Sequence, residues 1–126
     1  MTRYLLASAS VHTTAAACDA LADDVGEGDT VVVFTVTAPD ADARDAGDAA
    51  NVARTRLLPA TVESETAVGD PGPAILDAAA AHDADRIVVG PRSGDPGAEA
   101  AVGGTARHVL AHADRPVLVV PLEPLA

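Results

Sequence analysis

The chain has 126 residues, 19 carboxylates against 8 cations and a formal net charge of −11; every cation is arginine. That balance excludes nucleic acid as a partner, because a phosphate backbone needs a basic footprint. With Tyr4 and Phe34 as the only aromatic residues there is no stacking platform for single strands either. A hydrophobic content of 48% excludes a disordered acidic tail and fits one compact domain over residues 1–126.

Residues 4–7 read as a first strand. The N-terminal apolar run breaks at Ser8, so a strand explains it better than a signal segment does. Val11, Ala15, Cys18, Ala22 and Val25 then recur at steps of three and four, as on the buried face of a helix, and Gly26 and Gly28 stop it. Cys18 is the single cysteine. It falls in this helix among apolar neighbours and reads as an inert buried thiol, with no disulfide or cysteine-rich metal site. Residues 31–36 form a continuous β-branched run, the pattern of a strand buried on both faces of a parallel sheet. Residues 40–58 read as a second helix, acidic at its start and carrying Arg54 and Arg56 near its end, in the order that complements the helix dipole.

Residues 60–68 alternate, with Ala60, Val62, Ser64, Thr66 and Val68 on one side and Thr61, Glu63 and Glu65 on the other, which suits an edge strand. Asp70-Pro71 starts a third helix, a capping residue before proline at the first helical position, and Ile75 and Ala79 are its buried residues. Residues 87–89 give a fourth strand. Val102, Ala106, Val109, Leu110 and Ala113 mark a fourth helix ending before Pro116, and residues 117–120 give a fifth strand. The longest strongly apolar run, residues 31–36, falls far short of a membrane span. The chain is therefore expected to be soluble and cytoplasmic, with no membrane partner.

Alternation of strand and helix predicts a parallel sheet with right-handed crossovers, a three-layer α/β/α sandwich. In such folds the ligand site lies at the carboxyl ends of the strands where strand order reverses. The loops to read are Ser8-Ala9-Ser10, Thr37-Ala38-Pro39 and the glycine-rich stretch from Gly90 to Gly104. In the last, glycines let a backbone approach a ligand closely and helix N-terminal amides are free to bind phosphate. Thr105 adds a hydroxyl. Arg92 is the one cation of that loop, and its donor fork suits phosphate oxygens, whereas Asp95 and Glu99 oppose an anion.

Asp85-Arg86-Ile87-Val88-Val89-Gly90, the glycine loop, and the segment from His108 to Pro121 together resemble the universal stress protein family. So do Val68-Gly69-Asp70-Pro71 with Ile75-Leu76, and the valine-rich second strand ending at Pro39. The resemblance implies an adenine nucleotide alpha hydrolase-like fold, a five-stranded parallel sheet of order 3-2-1-4-5. It also implies a role in stress response, ATP or AMP as ligand (with Mg²⁺ accompanying ATP), and a homodimer paired through strand five, Pro116 to Val120. The ATP-binding pattern of the family is Gly, two residues, Gly, nine residues, then Gly and Ser or Thr. Without a gap, Gly90 and Gly103 match it, Ser93 replaces the second glycine and Gly104 the hydroxyl residue. With one extra residue near Pro91, Gly94, Gly104 and Thr105 match. Ala9 stands where the family's nucleotide-contacting aspartate ends strand one, with Ser8 and Ser10 beside it. Val36 matches the strand-two position whose backbone meets adenine.

Two functional readings follow. In one, the chain binds an adenine nucleotide through the Gly90–Thr105 loop, with hydrolysis at most very slow because no general base is placed. In the other, the site has degenerated and the protein is a dimeric interaction or protective module. The remaining constellations read as structural. His108 and His112 are four apart on one helix but lack a third metal ligand. His82-Asp83-Ala84-Asp85 fits a solvated turn. No nucleophile-elbow sequence supports a Ser-His-Asp triad, and without lysine there is neither a Gly-Lys-Ser/Thr phosphate loop nor the lysine of a phosphorelay receiver. The composition itself has two explanations, codon bias and adaptation to high salt; 14 aspartates against 8 arginines favour the second.

Overall fold

The computed structural model describes residues 1–8, 11–37, 44–90 and 103–120. Strands and helices alternate: β1 (Arg3–Ser8), α1 (Val11–Leu21), β2 (Thr30–Thr37), α2 (Arg44–Arg56), β3 (Thr61–Val68), α3 (Pro71–Ala81), β4 (Arg86–Val89), α4 (Gly104–His112) and β5 (Val117–Val119). All neighbouring strands pair in parallel, in the order β3-β2-β1-β4-β5. This is the order that the family resemblance implies.

The apolar strand runs lack alternation because both faces are covered. Leu6, Val31, Val33 and Val88 pack against Cys18 and Leu21 of α1 and Ala53 and Leu57 on the α2 side. Leu5, Val32, Phe34 and Ile87 turn the other way, onto Ile75 and Ala79 of α3 and Ala106 and Val109 of α4. Successive residues of one strand thus enter different cores. β3 is an edge strand, as its half-polar pattern implies, and its exposed Glu63 and Glu65 discourage edge-to-edge association.

Two helical faces differ from the sequence reading. In α1 the buried face runs Thr14, Ala17, Cys18, Leu21, and Ala22 is exposed. The helix stops at Leu21, whose carbonyl accepts the Val25 amide at 3.0 Å, so Val25 returns to the core from a turn. Gly28 in that turn has φ of +93°, a left-handed conformation that glycine adopts without steric cost. In α4 the core face is set by Ala106 and Val109, which leaves Leu110 48% exposed. The start of the expected second helix, residues 40–43, lies outside the described residues; its described part is Arg44–Arg56. Burial pushes the Cys18 thiol up to about 11, consistent with an inert core residue.

Carboxylates pin the amino edge of the sheet. Asp29 accepts the Thr2 amide at 2.8 Å and the Gly26 amide at 3.0 Å, and Asp85 accepts the Arg3 amide at 2.9 Å. The two backbone hydrogen bonds, Gly26 first, hold the Asp29 carboxyl below its ordinary value of 3.8. A depressed folded-state pKa contributes stability above the unfolded value and loses it as pH falls through the folded one. Asp29→Ala should therefore lower stability at neutral pH, and the gap from the parent should close once both titrate below that window. Urea unfolding at pH 7 and at pH 2–3 checks this; a gap that persists in acid would show that the carboxylate's charge is not the cause.

Arg115 is a second tie. Its Nη1 donates to the carbonyls of Ala79 and Ala84, each at 2.8 Å, and its Nε donates to Asp114 at 2.9 Å. It thereby joins the end of α3 and the turn into β4 to the segment leading into β5. Arg115→Met keeps the stem but removes the donors, and should cost about 1.5 kcal/mol, the scale of a hydrogen bond to a charged group. Chemical denaturation reads this directly; an unchanged midpoint would make the clamp dispensable.

Candidate functional site

The chain winds from β1 through β2 to β3 on one side, then returns to place β4 and β5 on the other. The reversal falls between β1 and β4, and an open parallel sheet binds ligands outside the carboxyl ends at such a point. Leu6 pairs with Val88. Two residues further along each strand stand Ser8 and Gly90, on the two sides of the switch.

Ser8 is 6% exposed, and its Oγ lies 2.6 Å from the Oγ1 of fully buried Thr14. In this apolar setting the two hydroxyls satisfy each other. The Ser8 side chain thus ties the end of β1 to α1, and its contribution to the crevice is the direction in which the chain leaves the strand. Thr14 is a residue that the sequence reading missed. Its spacing from Ala17, Cys18 and Leu21 puts it on the buried face, where a hydroxyl needs a partner.

β2 outruns β1. Ser8 pairs with Thr35, whereas Val36 and Thr37 continue alongside Ala67 and Val68 of β3. Past Thr35, the β1-side edge of β2 has no strand beside it among the described residues. Val36 is half-buried, with its side chain against the α3 core, so its backbone is the part presented at this edge.

α4 begins at the same end of the sheet. Its N-cap is Gly103, extended at φ −72° and ψ 166°, which has no side chain of its own to cap the first turn. Gly104 and Thr105 are exposed, and a Cβ built on Gly104 would meet nothing within 4 Å. First-turn amides that a glycine N-cap leaves without a side-chain acceptor, at the positive end of the helix dipole, suit an anion.

The structure therefore gathers Ser8, Val36, Gly90, Gly103, Gly104 and Thr105 at the carboxyl edge. Ala9, Ser10, Arg92, Ser93 and Gly94 lie outside the described residues. Of the gathered residues and their neighbours Thr35 and Thr37, none carries an ionisable side chain. Among the described residues, Asp70 is the exposed N-cap of α3, two residues beyond the end of β3, and Arg107 stands two residues beyond Thr105 with an interaction of its own.

The histidines have other settings. The rings of His108 and His112 stack with centroids 4.4 Å apart, and Nδ1–H of His112 donates to the His108 carbonyl at 2.9 Å. His82 caps α3 and pairs with Glu65, while Asp85 is committed to the Arg3 amide. Among the described residues no three His, Cys, Asp or Glu side chains group as metal ligands, and no helix is long and apolar enough to cross a membrane.

Comparison with known proteins agrees with this architecture. The hypothetical protein MJ0577 superposes with a TM-score of 0.81 at 17% identity, over 97% of this chain and 96% of its own. A universal stress protein from Archaeoglobus fulgidus in complex with dAMP gives a TM-score of 0.67 at 23% identity, over 95% and 98%. An Arabidopsis thaliana universal stress protein family protein with AMP bound gives 0.70 at 15%, over 98% and 93%. No curated protein matches the sequence. The sequence model of the Universal stress protein family matches residues 25–121. A match over that much of the chain, on a sheet of order β3-β2-β1-β4-β5, shows that the protein belongs to the universal stress protein family.

Proposed function

We propose that residues 1–126 form one universal stress protein domain that binds an adenine nucleotide in the crevice between β1 and β4. The observation that carries this reading is the glycine-capped, exposed Gly103-Gly104-Thr105 start of α4 at the carboxyl edge beside the topological switch point. Phosphate oxygens accept from the first-turn amides and the Thr105 hydroxyl. Gly90, Ser93 and Gly94 give the loop its close approach, and Arg92 stands outside the phosphates. Adenine lies against the Val36 backbone, with Ser8, Ala9 and Ser10 shaping the β1 side. The dAMP and AMP complexes of the two relatives support this choice of ligand. Mg²⁺ enters with ATP, held by the phosphates. The protein acts in the cytoplasm in a stress response, binding rather than turning over its nucleotide.

A second surface belongs to the same proposal. β5 is an edge strand of three residues, and Leu118 on it is 44% exposed. This favours a homodimer paired through Pro116 to Val120. Pro121 donates no ladder hydrogen bond, which keeps that pairing short.

The test is to purify the protein in molar KCl, denature it, and search the supernatant for AMP, ADP or ATP by mass spectrometry. Titration with AMP and with ATP, with and without Mg²⁺, follows. Saturable binding is expected, and Arg92→Ala should weaken it by roughly 1–3 kcal/mol, the range for a lost charged hydrogen bond. No released nucleotide and no saturation at millimolar ligand would leave the dimeric interaction module as the reading. An unchanged affinity in the Arg92 variant would place that side chain in solvent.

A further inference from the structure

We propose that His108 and His112 on α4 form a two-histidine chelate for a late first-row divalent transition metal, with Cu²⁺ held above Ni²⁺ and Zn²⁺. The site uses residues that the nucleotide reading does not, and it stands or falls independently of that reading.

The two histidines are four residues apart, so their side chains lie one above the other on one face of α4. Their rings stack with centroids 4.4 Å apart and planes 25° from parallel. The Nδ1–H of exposed His112 donates to the His108 carbonyl at 2.9 Å. This puts the proton on Nδ1 and leaves the lone pair on Nε2, the arrangement in which a backbone carbonyl orients a metal-binding imidazole. His108 meets α3 with its carbon edge. A Cβ built at Gly72 would lie 2.7 Å from its Cδ2 and 2.9 Å from its Cγ. The ring nitrogens flank the opposite corner of the ring, and among the described residues neither has a hydrogen-bond partner. The glycine thus admits the apolar edge of the ring to the helix contact and leaves its nitrogens to a ligand.

Imidazole nitrogens bind such ions at about 2.0–2.1 Å, so two of them on one tetrahedral ion stand roughly 3.4 Å apart. That is close to the present ring spacing of 4.4 Å, and a small turn about the soft terminal torsion of each histidine brings the nitrogens to one ion. Water fills the remaining positions, which makes the site open and exchangeable rather than closed and structural. Imidazole selects Cu²⁺, Ni²⁺ and Zn²⁺ over Mg²⁺ and Ca²⁺, which prefer oxygen, and the affinity order peaks at copper. A net charge of −11 attracts cations of every kind; the histidines supply the selectivity. Of the other two histidines, His82 is paired with Glu65 and His12 stands on α1.

The experiment titrates the full chain, without nucleotide, with Cu²⁺, Ni²⁺ and Zn²⁺ in 1 M KCl and about 10 mM Mg²⁺, which occupies the carboxylates. Calorimetry gives stoichiometry and affinity, and imidazole ¹⁵N spectra with Zn²⁺ identify the ligands. The expected result is one ion per chain, copper tightest, with Nε2 of His112 and a ring nitrogen of His108 shifting together. Loss of a ligand should cost at least the roughly tenfold that loss of an outer-shell partner costs. His112→Ala removes an exposed ring and leaves the core untouched, so its loss of affinity is read on a folded chain; His108→Ala should match it, while His12→Ala and His82→Ala bind as the parent does. No saturation below about 1 mM Cu²⁺, an affinity unchanged in His112→Ala, or an equal loss in His12→Ala would overturn the proposal.

Discussion

Raising KCl from 0.1 to 1 M should raise the thermal unfolding midpoint by roughly 10 °C. The cause is self-repulsion of the carboxylates. Smearing a charge of −11 over a folded body roughly 18 Å in radius, and over the larger unfolded chain, gives a differential repulsion of about 4 kcal/mol at 0.1 M and somewhat under 2 kcal/mol at 1 M. The gain of about 2 kcal/mol corresponds to roughly 10 °C for a domain of this size. Salt also screens the favourable pairs, Arg3 with Glu63 at 3.6 Å, Arg56 with Asp19 at 2.5 Å and Arg115 with Asp114 at 2.9 Å. Exposed pairs of this kind contribute at most about 1 kcal/mol each and often much less, so the net repulsion dominates. Asp23, Asp24, Glu27 and Asp83 are exposed and lie in turns at the amino edge. Neutralising all four as Asn or Gln should cut the salt response to about half, because repulsion falls faster than charge. A flat melting temperature across this salt range would dismiss salt adaptation and leave codon bias as the account of the lysine-free composition.

That composition was legible at once, and so was most of the fold. The runs at residues 4–7, 31–36 and 87–89 lack alternation because two cores need them, and a run buried on both faces in a chain of this length points to a parallel sheet. The alternation at residues 60–68 marked the edge strand, because only there does one side of the sheet lose its cover. Finer placement was less legible. Leu21 and Ala22 both continue the helical spacing from Cys18, and only the end of α1 at Leu21 decides which faces the core. Leu110 satisfies the apolar spacing of α4 as well as Val109 does, yet it lies on the outer margin of a helix whose contact with α3 is centred on Ala106 and Val109. Of the site, strand order directs attention to the loops after β1, β2 and β4, of which Ser8, Thr37, Gly90, Gly103 and Gly104 are among the described residues. The role of Ser8 could not. A serine at a strand end reads as a ligand donor until Thr14 is seen 2.6 Å away, and that partner lies on the next element.

Gly72→Val should destabilise the fold by about 3 kcal/mol and weaken nucleotide binding as well. Gly72 is buried in the first turn of α3, and a Cβ built there would lie 2.7 Å from Cδ2, 2.9 Å from Cγ and 3.1 Å from Cβ of His108. A ring tip alone could swing aside, but the Cβ of His108 is held by the α4 backbone. The ring is also stacked on His112 at 4.4 Å. The helices must therefore part, and overpacking of this kind costs about 1–3 kcal/mol, with valine at the upper end because its branched side chain cannot rotate away. Separation of α3 from α4 displaces the helix whose first turn, Gly104 and Thr105, presents the proposed phosphate donors, so the dissociation constant should rise together with the loss of stability. Pairing the change with His108→Ala removes the obstructing ring and should recover most of both losses, a coupling of at least 1 kcal/mol in a double-mutant cycle. Additive losses would mean that Gly72 is constrained by its backbone rather than by His108. Loss of stability in Gly72→Val with nucleotide affinity unchanged would mean that α4 carries no part of the nucleotide site, and the proposal built on its N-terminus would fall with that result.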